Sequence, residues 1–215
     1  METFTYKEIL QQPSCWIKEY EVLLEEKTRI QAFLEKYLTN ETDIVLTGAG
    51  TSAFIGDAIA PLLRGVWKNV RAVATTDIVT NAADYLVADK PLLLISFARS
   101  GNSPESVAAV NLANAICKNV AHIYITCNKN GHLAQSANAE NILSLLLPEE
   151  TDDKSLAMTS SFSTMLLTCL MISQIDHIEA ERERIEAVAA NAQAVLSDYA
   201  GAIEAIAARP FERGV

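Results

Sequence analysis

The sequence predicts an α/β fold: a three-layer α-β-α sandwich around a five-stranded parallel sheet, with further helices at both ends. Two observations carry this. From residue 44 onward, short apolar runs alternate with amphipathic stretches, and the runs are continuously apolar rather than alternating. Strands buried on both faces read that way, and strand–helix repetition implies parallel strands joined by right-handed crossovers. A third observation places a site. Ile44-Val45-Leu46 leads directly into Thr47-Gly48-Ala49-Gly50-Thr51-Ser52, a glycine-rich turn that opens a helix.

The elements follow in order. Residues 4–12 suit a short helix stopped by Pro13, and Ser14 can cap a longer one running to about Leu38. Its apolar stripe is Trp16, Ile17, Tyr20, Leu23, Leu24 and Ile30; Glu19, Glu21, Glu25, Glu26 and Lys27 read as a solvated face. Strands are expected at 44–46, 70–74, 92–96, 122–126 and 142–146, with helices at 51–65, 76–83, 104–118 and 131–137. After an acidic loop at 148–154, Thr159-Ser160-Ser161 starts an apolar helix over 162–175. A charged, alanine-rich helix then runs from about 178 to 208, where Pro210 breaks it, and 211–215 resembles the approach to another strand. The organisation expected is a helical segment at 1–40, a domain at 41–177 and a helical linker at 178–215.

Composition narrows the function. Half of the 215 residues are hydrophobic and a fifth are charged, as in a soluble globular protein, and the net charge is −10. Phosphate backbones are held by Lys and Arg, so no nucleic-acid partner is expected. A small phosphorylated ligand is compatible, because backbone N–H groups and hydroxyls can hold it. Cys15, Cys117, Cys127 and Cys169 lack CxxC spacing and read as reduced thiols; His122, His132 and His177 lack metal-ligand spacing. No metal or other cofactor is expected. The N-terminus has no signal pattern and no apolar run approaches the ~18 residues of a membrane span, so no membrane partner is expected and the cytoplasm is the expected location.

Open parallel sheets bind ligands outside the carboxyl ends of their strands. Three hydroxyl-rich helix starts fall at that edge: Gly48 to Ser52, Arg99-Ser100-Gly101-Asn102-Ser103, and Thr159-Ser160-Ser161. Glycines permit tight turns, while the first N–H groups of a helix lack intrahelical partners and sit at the positive end of its dipole. Ser103 also suits the N-cap of a helix with Pro104 at its first position. Each cluster alone could be only a cap or a tight turn. Together they suggest a shared anion site. A dinucleotide fold is the competing interpretation: Gly48-x-Gly50-x-x-Ala53 matches GxGxxA, and Asp77 could be the ribose-binding acid.

The strings TGAGTS (47–52), SFARSGNSPES (96–106), TCN (126–128) and MTSSFS (158–163) resemble the sugar isomerase (SIS) domain family over about 40 to 165. Within it, the resemblance is to the galactosamine-6-phosphate deaminase/isomerase branch, also described as tagatose-6-phosphate ketose/aldose isomerases. The resemblance implies a flavodoxin-like five-stranded parallel sheet. It further implies that Ser52, Ser100 and Ser103 hold the substrate phosphate, helped by the Arg99 backbone, with Gly50 and Thr51 beside them and Asn102 lining. Ser160 and Ser161 would fall near the sugar.

Enzymes of this branch carry two SIS domains in tandem, and the acid and base, a Glu and a His, belong to motifs of the second. No matching segment exists here, so no catalytic residue is assigned, and the end at Val215 suits a cut before a second half. The implied chemistry is conversion of galactosamine 6-phosphate to tagatose 6-phosphate and ammonia, or aldose/ketose phosphate isomerisation. The complete protein would be the enzyme and this half alone inactive. A sugar-phosphate sensor without catalysis is the alternative. Family resemblance also implies a homo-oligomer, with the 162–175 helix as the candidate pairing surface.

Overall fold

A computed structural model describes residues 3–212. Met1, Glu2 and 213–215 fall outside the described residues, and with them most of the strand approach expected over 211–215.

The five expected strands form one sheet. They are β1 (Asp43–Gly48), β2 (Val70–Ala72), β3 (Leu92–Ala98), β4 (Val120–Thr126) and β5 (Ile142–Leu146). Their order is β2-β1-β3-β4-β5, and all four pairings are parallel. Successive side chains leave a strand on opposite faces. Ile44, Leu46, Leu93, Ile95, Ile123 and Leu143 enter one core; Val45, Leu92, Leu94 and Tyr124 enter the other. Every residue of β1 and β3 is buried, which is why those runs lack polar alternation.

On the first face lie α1 (Phe4–Glu25), α2 (Lys27–Tyr37), α3 (Ala53–Leu63), α8 (Ser160–Ser173) and α9 (Arg182–Asp198). The second face carries α4 (Thr75–Thr80), α5 (Ala82–Tyr85), α6 (Pro104–Ile116) and α7 (His132–Gln135). The last helix, α10 (Ala200–Ala207), extends α9, and residues 201–212 are exposed. Tyr20, Leu23, Ile30, Phe33 and Leu34 of α1 and α2 share the first core with Ile178 and Ile185, so the N-terminal helices and the start of α9 pack on the same face of the sheet.

Two details of α1 differ from expectation. Pro13 does not stop the first helix; it lies buried inside α1, and the break comes at Glu26. Proline deprives the Ile9 carbonyl of its helical donor. The Gln12 side chain replaces it, with Nε2 donating to Ile9 O at 3.2 Å. Ser14 is accordingly no cap, and its hydroxyl donates back to Gln11 O. Glu19 is not on a solvated face. It is 1% exposed, four residues from Cys15 and from Leu23 on the inward stripe. The C-terminal helix is also segmented, by a kink at His177 and a turn at Tyr199.

Candidate functional site

Strands β1 and β3 are neighbours in register, with Gly48 opposite Phe97. Their following helices diverge. Ile55, Ile59 and Leu63 of α3 pack on the first face, whereas Ala109, Val110 and Ala113 of α6 pack on the second. The turns after β1 and β3 thus leave the same edge side by side and open a crevice at the topological switch point, where ligands of such sheets bind. Two helix N-termini face that crevice, which suits an anion. The strand order also decides against a dinucleotide fold, whose order is 3-2-1-4-5-6. Asp77 lies exposed in α4, past the end of β2.

The first turn is shaped by two glycines. Gly50 has φ +56°, a left-handed conformation that glycine adopts without strain. A Cβ on Gly48 would stand 2.6 Å from Ser52 C, so the 3-10 turn Gly50–Ser52 folds directly back on the strand end. Gly50 and Thr51 are exposed, whereas Ser52 is buried and its hydroxyl donates to Met158 Sδ at 3.7 Å.

The second turn is fixed by its neighbours. Arg99 O accepts from Cys127 N (3.2 Å) and Thr126 Oγ1 (3.4 Å), and Ser100 O accepts from Asn128 Nδ2 (3.2 Å). Gly101, at φ +65°, accepts at its carbonyl from Leu133 N. Ser100 is exposed, and its Oγ accepts from Asn102 N. Asn102 faces sideways: its Oδ1 accepts from His132 N at 2.8 Å and so anchors the start of α7. Ser103 caps α6 through Ser106 N, with Pro104 following, as the sequence indicated. The Arg99 guanidinium crosses to the other side and donates to Ser155 O at 3.0 Å.

The third cluster lies deeper. Ser160 and Ser161 are fully buried, with both hydroxyls donating to Asp153; Thr159 N and Ser161 N also donate to Asp153 Oδ2, each at 2.9 Å. Asp153 thereby caps α8 from outside the helix. The crevice meets Ser155 and Met158 of the preceding segment instead. Asp153, Met158, Asn128 and Gly131 were not picked out as site residues from the sequence. Only the TCN and MTSS strings hinted at two of them, Asn128 and Met158.

Strongly shifted titrations belong to the core. Burial pushes the Cys127 thiol up to about 12 and the Cys15 thiol up to about 11, so these sulfurs stay protonated and are not nucleophiles. Among the described residues no group of three or more His, Cys, Asp or Glu side chains could hold a metal ion, and no helix is long and apolar enough to cross a membrane.

The SIS domain pattern matches residues 37–174. The chain is 50% identical over 198 residues to the D-galactosamine-6-phosphate deaminase AgaS of Escherichia coli, covering 91% of this chain and 51% of that protein. It is 46% identical over 175 residues to the protein of the same name from Shewanella sp. (strain ANA-3), covering 79% and 45%. The crystal structure of tagatose-6-phosphate ketose/aldose isomerase from Escherichia coli superposes with a TM-score of 0.87 at 48% identity, over 92% of this chain and 54% of that one. The chain thus spans about half the length of the curated relatives it matches.

Proposed function

The chain belongs to the SIS domain family, and on that premise we propose that it forms the phosphate-anchoring half of an amino-sugar-phosphate deaminase/isomerase. The observation that carries this is the pairing of the 49–52 and 99–103 turns at one switch point, with Thr51 and Ser100 exposed on its edge. Ser52, Ser100 and Ser103, the Arg99 backbone and the Gly50–Thr51 turn hold the phosphate; a charge-assisted hydrogen bond contributes ~1.5–3 kcal/mol, so several hold a phosphomonoester at micromolar to millimolar affinity.

In the deaminase reading, galactosamine 6-phosphate opens to its chain form. A base then moves a proton from C2 to C1 through an enolamine. Water hydrolyses the resulting ketose imine to tagatose 6-phosphate and ammonia. Without the nitrogen, the same shift interconverts an aldose and a ketose phosphate. This half fixes the phosphate and orients C1 and C2, while acid and base come from the second SIS half that the resemblance implies. The names borne by the relatives support an enzyme over a sensor.

The test is a titration of the chain with galactosamine 6-phosphate, glucosamine 6-phosphate and tagatose 6-phosphate. Ser52→Ala and Ser100→Ala should weaken all three alike, and no turnover should accompany binding. A change in sugar preference at unaltered overall affinity would overturn the phosphate assignment.

We also propose self-association through the groove of about 580 Å³ beside α8, lined by Leu62, Val66, Phe162, Leu166, Leu170 and Val188. Leu62 is 63% exposed on its rim, and a second copy of the same face would cover it. Sedimentation of Leu62→Glu against wild type reads this directly.

A further inference from the structure

One buried carboxylate outside the crevice governs a segment that touches both of its turns. Glu8, in the first turns of α1, is 5% exposed. Its Oε1 accepts from Lys154 N at 2.5 Å and from Ser155 N at 3.1 Å, and its Oε2 is within hydrogen-bond reach of Ser155 Oγ. A carboxylate accepts only, so it suits a loop that presents donors alone. Gln11, one turn on, donates to Glu150 O (2.7 Å) and Ser160 Oγ (2.9 Å). Asp153 binds the same segment from within.

What Glu8 secures then meets the ligand turns. Ser155 O receives the Arg99 guanidinium, and Met158 Sδ receives the Ser52 hydroxyl. The 154–158 stretch is therefore a third wall of the crevice, joined at one end to the β3 turn and at the other to the β1 turn. Arg99 meets the wall only through its guanidinium, whereas its backbone is what the phosphate assignment uses, and Ser52 is anchored independently of Met158, its N–H donating to Ala49 O at 3.2 Å. The wall stands beside the anion cradle, where the rest of a phosphorylated ligand would project.

Resting on the phosphate site proposed above, we infer that Glu8 is a positioning residue that sets the preference of this crevice for a phosphorylated sugar over bare phosphate. It touches no ligand. It holds the 154–158 wall at the distance that Arg99 and Ser52 require, so its loss withdraws contacts to the sugar and leaves the cradle of turn amides and hydroxyls in place.

The experiment is a paired titration of the 215-residue chain with galactosamine 6-phosphate and inorganic phosphate. In Glu8→Ala the sugar phosphate should bind about tenfold more weakly, with inorganic phosphate within twofold of wild type. Glu8→Gln keeps an acceptor for the two amides and should lose about threefold for the sugar phosphate; it decides the matter should Glu8→Ala fail to fold. Hydrogen exchange at Lys154 and Ser155 should quicken in either variant. Equal losses for both ligands mean a merely structural role and overturn the inference, as does no loss for either. A wild-type chain that binds neither ligand refutes the phosphate site itself, and the inference with it.

Discussion

Gly131 is packed against the carbonyl oxygen of Ser100, and a Cβ built on it would stand 2.3 Å from that oxygen. No side chain fits there without moving one backbone segment or the other. The candidate anion turn after β3 is therefore shaped from behind by a residue on the β4–α7 connection.

Gly131→Ala should consequently damage binding more than stability. The Ser100 peptide has to move, which tilts both Ser100 Oγ and the Gly101–Asn102 amides. Overpacking of this kind costs about 1–3 kcal/mol. Phosphate affinity should fall at least tenfold while the fold survives, as read by calorimetric titration beside a thermal melt. Unchanged affinity would show that the β3 turn does not cradle the anion.

Asn102→Ala should behave in the opposite way. The Asn102 side-chain Oδ1 accepts from His132 N, so it works as a cap for α7 supplied by another loop. Loss of such a cap costs about 0.5–2 kcal/mol. Chemical denaturation should register that loss, and affinity for hexose phosphates should change by less than threefold.

Asp153→Ala should be among the most damaging changes outside the hydrophobic core. Its two oxygens accept from Thr159 N, Ser161 N and the hydroxyls of Ser160 and Ser161, all at the buried start of α8. Each buried donor left unsatisfied costs about 1–3 kcal/mol. The midpoint of urea unfolding should drop steeply, and Asp153→Asn, which keeps one acceptor, should recover part of it.

Much of this arrangement is legible in the sequence, and the part that is not has a physical reason. The strands β1 and β3 announce themselves because burial on both faces leaves no polar alternation. The Ser103-Pro104 cap is readable because all its partners lie within three residues. Glu8 and Glu19 are different: their partners Ser155 and Thr168 are 147 and 149 residues away. No local pattern reveals such a partner, and a carboxylate on a helix is ordinarily solvated. Glu19 did carry one signal, its place between Cys15 and Leu23 on the inward stripe. Pro13 was misleading for a related cause, since a proline reads as a stop unless a nearby side chain replaces the lost donor, as Gln12 does.

Stability should fall on both sides of a window set by two buried groups. Burial raises the Glu19 carboxyl from 4.5 to about 8, opposed in part by the hydrogen bond from Thr168. The folded chain holds that proton more tightly than the unfolded one. Its contribution is complete below about pH 4.5 and is lost as pH rises through about 8. At about 1.36 kcal/mol per pKa unit, the decline is roughly 3–5 kcal/mol. His122 acts in the reverse sense. Its imidazole, bonded through Nε2 to Asn114 Oδ1 at 2.9 Å, is lowered by burial from 6.5 to about 4. The unfolded chain takes up that proton first, so stability present above pH 6.5 is lost as pH falls through about 4. Unfolding free energies measured across this range should show Glu19→Gln flattening the alkaline limb and His122→Gln the acid limb. Each variant should leave the other limb as it was. An alkaline limb unmoved by Glu19→Gln would mean that this carboxyl does not hold its proton in the folded chain.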